Sequence, residues 1–106
     1  MKKLRLYLDD QRPLPDGFDM LIRTAEDAIK FIKQNGVEFI SLDNDLGYDY
    51  TEGYKVADYI EHAYICGDIE FVDFMPHTSN PGAFRRMWQA RENVLNHKRK
   101  LDEAEL

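Results

Sequence analysis

One cysteine among 106 residues, Cys66, excludes an internal disulfide and gives the expectation of a cytoplasmic protein. Cys66 ends a helical stretch with no basic cluster beside it, so it reads as a buried or half-buried structural thiol, not a nucleophile. Long apolar runs are missing too: none approaches the ~20 residues of a membrane span. Met1-Lys2-Lys3 opens like a leader, but the apolar stretch behind it, Leu4 to Leu8, stops at Asp9-Asp10 and is too short for a signal peptide. Basic residues are the minority, 14 against 20 acidic for a net charge of −6. That balance disfavours long duplex nucleic acid, whose phosphates dominate affinity. Arg85, Arg86, Arg91, Lys98, Arg99 and Lys100 gather in the last quarter. They read first as a solvated helix face and leave room for a small phosphorylated ligand.

What remains is ordinary globular material, 43% apolar and 12% aromatic, at the length of one domain spanning 1–106. Leu4 to Leu8 reads as a strand buried on both faces. Gln11 to Gly17, with Pro13 and Pro15, reads as a loop, and Phe18 to Arg23 as a second strand of open pairing direction. Thr24 has the position of an N-cap, with Glu26 and Asp27 in the first turn and Ala25, Ala28, Ile29 and Ile32 on one helical face. Asn35-Gly36 stops that helix. Val37 to Leu42 is a strand, Leu46 to Glu52 a polar loop with Thr51 as a cap candidate, and a second helix begins near Gly53, burying Val56, Ala57, Ile60 and Tyr64. Ile69 to Met75 is the next strand. Asn80-Pro81 opens a third helix, with Phe84, Met87, Trp88, Val94 and Leu95 expected on its inner face. The charged tail 98–106 extends or frays that helix. Tyr7, Tyr48, Tyr50, Tyr54 and Trp88 read as packing aromatics, and His62 and His97 as surface residues. The alternation predicts an α/β fold: an open parallel sheet of about four strands flanked by about three helices.

In such a sheet, ligands bind beyond the carboxyl ends of the strands. Three strands end in groups capable of chemistry: Asp9 and Asp10; Asp43 and Asp45; His77, Ser79 and Asn80. Carboxylates held close repel, so either a proton is shared or a cation neutralises them. An oxygen-rich set suits Mg²⁺, which keeps waters that a phosphate can replace; zinc would ask for more His and Cys. Asp9, Asp10 and Asp43 are the expected metal shell, with Asp43, Asp45 and His77 the expected chemical groups. Arg12, Ser79, Asn80 and the helix start behind Asn80 are expected to hold phosphate oxygens.

With these residues in view the chain resembles the receiver-like superfamily, and within it the cyclic-phosphate-processing receiver-like domains. The likeness rests on Leu6-Tyr7-Leu8-Asp9-Asp10-Gln11-Arg12-Pro13, on Ser41-Leu42-Asp43-Asn44-Asp45-Leu46-Gly47 and on His77-Thr78-Ser79-Asn80-Pro81, and spans nearly the whole chain. It implies a three-layer, receiver-like (flavodoxin-like) fold and a Mg²⁺-dependent acidic site handling a phosphate ester, with a cyclic phosphate on a nucleotide or an RNA end as ligand. Two departures from an ordinary receiver stand out. A Pro-rich loop replaces the helix between the first two strands, and no fifth strand ending in a phosphate-reading lysine is evident. Three functions follow: a metal-dependent hydrolase of cyclic or linear phosphate esters, a non-catalytic module binding a nucleotide or protein partner, and a signalling receiver phosphorylated on Asp43.

Overall fold

The computed structural model describes residues 3–45 and 52–105. Four strands, β1 (Leu4–Leu8), β2 (Met20–Ile22), β3 (Val37–Leu42) and β4 (Asp73–Pro76), pair in the order β2-β1-β3-β4. Every pairing is parallel, which answers the question left open for the second strand. Three helices, α1 (Ala25–Gln34), α2 (Tyr54–Ile65) and α3 (Pro81–Ala104), complete the expected α/β architecture. The charged tail continues α3 through Ala104. The third helix is thus a long one, yet among the described residues no helix is long and apolar enough to cross a membrane. The 46–51 segment, with Thr51, Tyr48, Tyr50 and most of the expected polar loop, lies outside the described residues.

Strand register separates the two faces of the sheet. Leu6 pairs with Met20 and Ile40, Ile40 with Phe74, and Leu8 with Ile22 and Leu42. Of this set all but the exposed Met20 belong to one core cluster with Ala25, Ala28 and Ile32 of α1, Val56, Ala57 and Ile60 of α2, and Met87, Ala90 and Val94 of α3. The three helices therefore cover one face. Right-handed crossovers require this of α1 and α2, because β2→α1→β3 and β3→α2→β4 both step in the same direction across the sheet, and α3 packs beside α2. The connection from β1 to β2 steps the other way and falls on the opposite face. There it supplies the covering layer with a loop in place of a helix. Phe18 meets Tyr7 edge-on at 5.2 Å and lies 6.1 Å from Phe39, while the Arg5 guanidinium sits over both phenyl rings. Arg5 Nε also donates to the carbonyl of Gly17, whose φ of 89° is a conformation that favours glycine.

Helix ends follow the sequence closely. Thr24 accepts the Asp27 amide at 3.1 Å, and Asn80 accepts that of Ala83 at 3.1 Å with Pro81 in the first turn. Thr24→Ala should cost about 1 kcal/mol, a typical value for losing such a cap. Thermal unfolding would then show a melting temperature roughly 4–8 °C lower.

Two expectations about packing are corrected. Phe84 and Trp88 are exposed, because the inner stripe of α3 runs through Ala83, Met87, Ala90 and Val94. One residue on from that stripe is a 100° rotation, and the two rings instead stack on each other at 6.1 Å. Cys66 is exposed as well, since it caps α2 beyond its last buried turn, with Sγ 3.8 Å from His62 Nε2.

The sheet ends at β4 for a local reason. His77 donates its amide to Leu42 on β3, so by alternation the amides of Phe74 and Pro76 point to the open edge. Phe74 N–H is taken by the Asp73 carboxylate at 2.8 Å, and proline has no N–H. Arg91 of α3 holds that carboxylate in place at 3.1 and 3.3 Å. Neither outward position thus offers a free donor to a fifth strand, which is how edges are commonly protected.

Candidate functional site: an acidic row at the switch point of the sheet

The strand order reverses between β1 and β3, where open parallel sheets place their ligand crevice. Three residues follow directly on the last residues of three strands: Asp9 after Leu8, Asp43 after Leu42, His77 after Pro76. Each is tied sideways by its own amide, Asp9 to Ile22 O at 3.0 Å, Asp43 to Leu8 O at 3.0 Å and His77 to Leu42 O at 2.8 Å. Leu8 pairs with Leu42 and Leu42 with Pro76, so the next residues form a row across the sheet. Alternation sends their side chains to the loop-covered face, away from the helices. Carboxylate and imidazole atoms of Asp9, Asp43 and His77 consequently lie within 4.8 Å of one another, the one such group among the described residues.

Around this group is a hollow of about 340 Å³ lined by Asp9, Asp10, Gln11, Arg12, Asp43, Asp45 and Ser79. Most of the residues singled out from the sequence therefore meet in one place. Asp10 lines the hollow but stands outside the tight three-residue group. Asn80 does not line it, its side chain being engaged in capping α3. Arg12 approaches Asp9, with Nε 3.9 Å from Oδ2.

Asp9 is 2% exposed, and both of its carboxylate oxygens have partners in the protein. Its Oδ1 accepts the amides of Gln11 and Arg12, each at 2.9 Å, and its Oδ2 faces His77 Nε2 at 3.1 Å. Burial by itself would push this carboxyl up, but the two amides and His77 outweigh it and hold Asp9 below the usual carboxylate value. Asp43 is treated oppositely: burial and then the charge of Asp9 push it up, with His77 and the amides of Asn44 and Asp45 only partly offsetting them. Burial also pushes His77 down, against the pull of Asp9 and Asp43. The row thus holds one firmly ionised carboxylate beside another whose charge lacks compensation. A hard divalent cation, bound by oxygen ligands, fits that donor set.

Several parts of the site carried no obvious sequence signal. Asn44, between two aspartates, is completely buried. Its Oδ1 accepts the first amide of α2, Tyr54 N–H, at 3.2 Å, and its Nδ2 donates to Glu52 at 3.2 Å. The cap for α2 thus comes from the site loop itself, since Gly53 at the cap position has no side chain to offer. Ser41 Oγ lies 2.6 Å from His77 Nδ1, and Tyr7 stacks on the His77 ring at 4.6 Å with planes 3° apart. Both belong to the row's own face, two residues back along their strands. A lone serine within the apolar run Val37 to Leu42 was the available hint.

A sheet of this order with an acidic row at its switch point defines a receiver-like domain. The cyclic-phosphate processing receiver domain family matches residues 4–93, and the chain belongs to that family. Among solved structures, a response regulator protein from Burkholderia pseudomallei is similar at a TM-score of 0.57 and 16% identity, over 97% of this chain and 73% of that one. That structure was determined with a phosphorylated aspartic acid, a calcium ion and citrate; at this identity the likeness shows the fold. No curated protein sequence matches the chain.

Proposed function

We propose that this domain is a Mg²⁺-dependent phosphoesterase acting on a cyclic phosphate or another phosphate ester of a nucleotide or RNA end. The observation that carries the reading is the row itself: Asp9 and Asp43 side by side, one held ionised and one short of compensating charge, opening into a hollow with Arg12 at its rim. The family's description, cyclic-phosphate processing, supports the substrate class.

Asp9 and Asp43 would hold the cation, with Asp10 beside them in the hollow adding negative charge. When bound, the ion would polarise the phosphoryl group and lower the pKa of water. Arg12 and Ser79 hold phosphate oxygens across the hollow. As water adds to phosphorus and a P–O ester bond breaks, the water's proton passes to Asp45 or His77, and the departing oxygen takes a proton from solvent.

Steady-state hydrolysis of 2′,3′-cyclic and linear nucleotide esters with Mg²⁺ tests this. Turnover is expected with the native chain and its loss with Asp43→Asn; no turnover above that variant across the panel would sink the reading. Stoichiometric binding with the ligand recovered unchanged would instead mark a non-catalytic nucleotide-binding module. A phospho-acceptor role for Asp43 has less support, because among the described residues no fifth strand follows β4. One added phosphoryl group in the intact mass after acetyl phosphate treatment, absent from Asp43→Asn, would be its signature.

A further inference from the structure

We infer that His77 is a positioning residue, a fixed hydrogen-bond donor that aims the Asp9 carboxylate and is held in that role by Ser41, and that its ring is not a metal ligand. The inference deepens the metal-dependent reading above, on which its functional meaning rests.

Proton counting decides the roles. Asp9 is buried, and its Oδ1 is already occupied by the Gln11 and Arg12 amides, contacts that favour the ionised carboxylate. An ionised Oδ2 carries no proton, so the hydrogen in the 3.1 Å contact to His77 must sit on Nε2. At the other end of the ring Nδ1 lies 2.6 Å from Ser41 Oγ. A hydroxyl can donate or accept. In a neutral ring Ser41 donates to Nδ1; in an imidazolium Nδ1–H donates to Ser41. Both charge states leave Nε2 protonated, so that nitrogen has no lone pair to offer a cation. Nδ1 is spoken for by Ser41 in either state.

The ring's path shows why position 41 is small. His77 leaves β4, whereas Tyr7 belongs to β1 and Asp9 directly follows it, with β3 lying between the two strands. To stack on Tyr7 and reach Asp9 the imidazole passes over β3 at Ser41, where a large side chain would stand in its way. Tyr7 fixes the ring plane, Ser41 and Asp9 fix its two nitrogens, and Asp9 Oδ2 is left with its remaining lone pair beside Asp43. Ligating carboxylates are commonly oriented by such outer hydrogen bonds. A cation in this row is then offered carboxylate oxygen and water, a set that selects Mg²⁺, Ca²⁺ or Mn²⁺ over Zn²⁺. With both His77 nitrogens engaged, proton transfer falls to Asp45, which is exposed and lines the hollow.

Long-range ¹H–¹⁵N correlation spectra of ¹⁵N-labelled protein, without metal at pH 7, read the ring directly; His77→Gln separates its signals from those of His62 and His97. Expected is a protonated Nε2 that stays protonated when Mg²⁺ is added. In Ser41→Ala, which keeps the passage open, Nε2 should stay protonated by its contact with Asp9, while the Nδ1 resonance shifts as that nitrogen loses its Ser41 partner. A bare Nε2 in the native chain, loss of its proton on Mg²⁺ binding, or an unshifted Nδ1 resonance in Ser41→Ala would each overturn the inference. Absence of esterase turnover with the native spectrum as expected would count against the phosphoesterase reading alone and leave the donor role standing.

Discussion

Gly53→Ala will lose about 3 kcal/mol or more of stability, the upper end for forced overpacking, and its melting temperature will fall by roughly 12–24 °C. A Cβ at this position would stand 1.7 Å from the carbonyl oxygen of Asp43 and 2.8 Å from its carbon. The reason is space alone, because Gly53 has φ −61° and ψ −25°, values any residue adopts. Relief requires either the start of α2 or the Asp43 backbone to move. Both are tied into the site: Gly53 N–H donates to Asn44 O at 3.0 Å, and Asn44 caps α2. The same substitution should therefore weaken Mg²⁺ binding, readable by calorimetry in whatever fraction remains folded. Gly82→Ala is the matched control. Its Cβ would meet only Asn80 Oδ1, at an ordinary 3.6 Å, in the first turn of α3. Replacing a helical glycine by alanine there should stabilise by about 0.5–1 kcal/mol. A Gly53→Ala protein that melts with the native one would show that the Asp43 backbone does not restrict this position.

How far the sequence could be read follows from what each feature depends on. Parallel topology and the meeting of Asp9, Asp43 and His77 were legible, because three apolar strands each ended directly at a polar residue and strand order then places those ends together. Direction of the second strand was not legible, since a loop of that length allowed either. The pairing itself shows it: Met20 to Ile22 runs parallel to β1, with Met20 opposite Leu6 and Ile22 opposite Leu8, and this register places Ile22 in the helix-side core. The inner face of α3 was misjudged at Phe84 and Trp88 because size suggested burial, whereas the small residues Ala83 and Ala90 let α3 approach the sheet. Ser41 and Asn44 were missed for a common reason. Their roles arise from partners 36 and 10 residues away, and such pairings appear only once register is known.

Register also makes the electrostatics of Asp43 testable without any substrate. In the metal-free protein Asp43→Asn should be more stable than the native chain at neutral pH. Burial and the neighbouring Asp9 charge raise the Asp43 pKa in the folded state, so folding favours its protonated form. The stability tied to that proton is fully present below the unfolded carboxylate pKa and is lost as pH rises through the folded value. An uncharged Asn avoids the loss, and its amide oxygen can still accept the Asn44 and Asp45 amides that Asp43 uses. The advantage of the variant should accordingly vanish on acidification below about pH 4, where the native carboxyl is protonated too. Asp9 has the opposite slope, its contribution being present above its unfolded pKa and lost as pH falls through its lowered folded one. It is shared by both proteins and cancels to first order in their difference. Mg²⁺ should reverse the ranking. At a hundredfold excess over its dissociation constant, a ligand bound only by the folded state adds about 2.7 kcal/mol. The native chain should gain that increment, while Asp43→Asn, missing one of its two carboxylates, should bind the ion about 100-fold or more weakly and gain almost nothing. Thermal unfolding of both proteins in EDTA and in Mg²⁺, at pH 4 and pH 7, supplies the whole comparison. If Asp43→Asn proves less stable than the native chain in EDTA at pH 7, the like-charge strain assigned to this row is absent, and with it the reason for a cation to bind there.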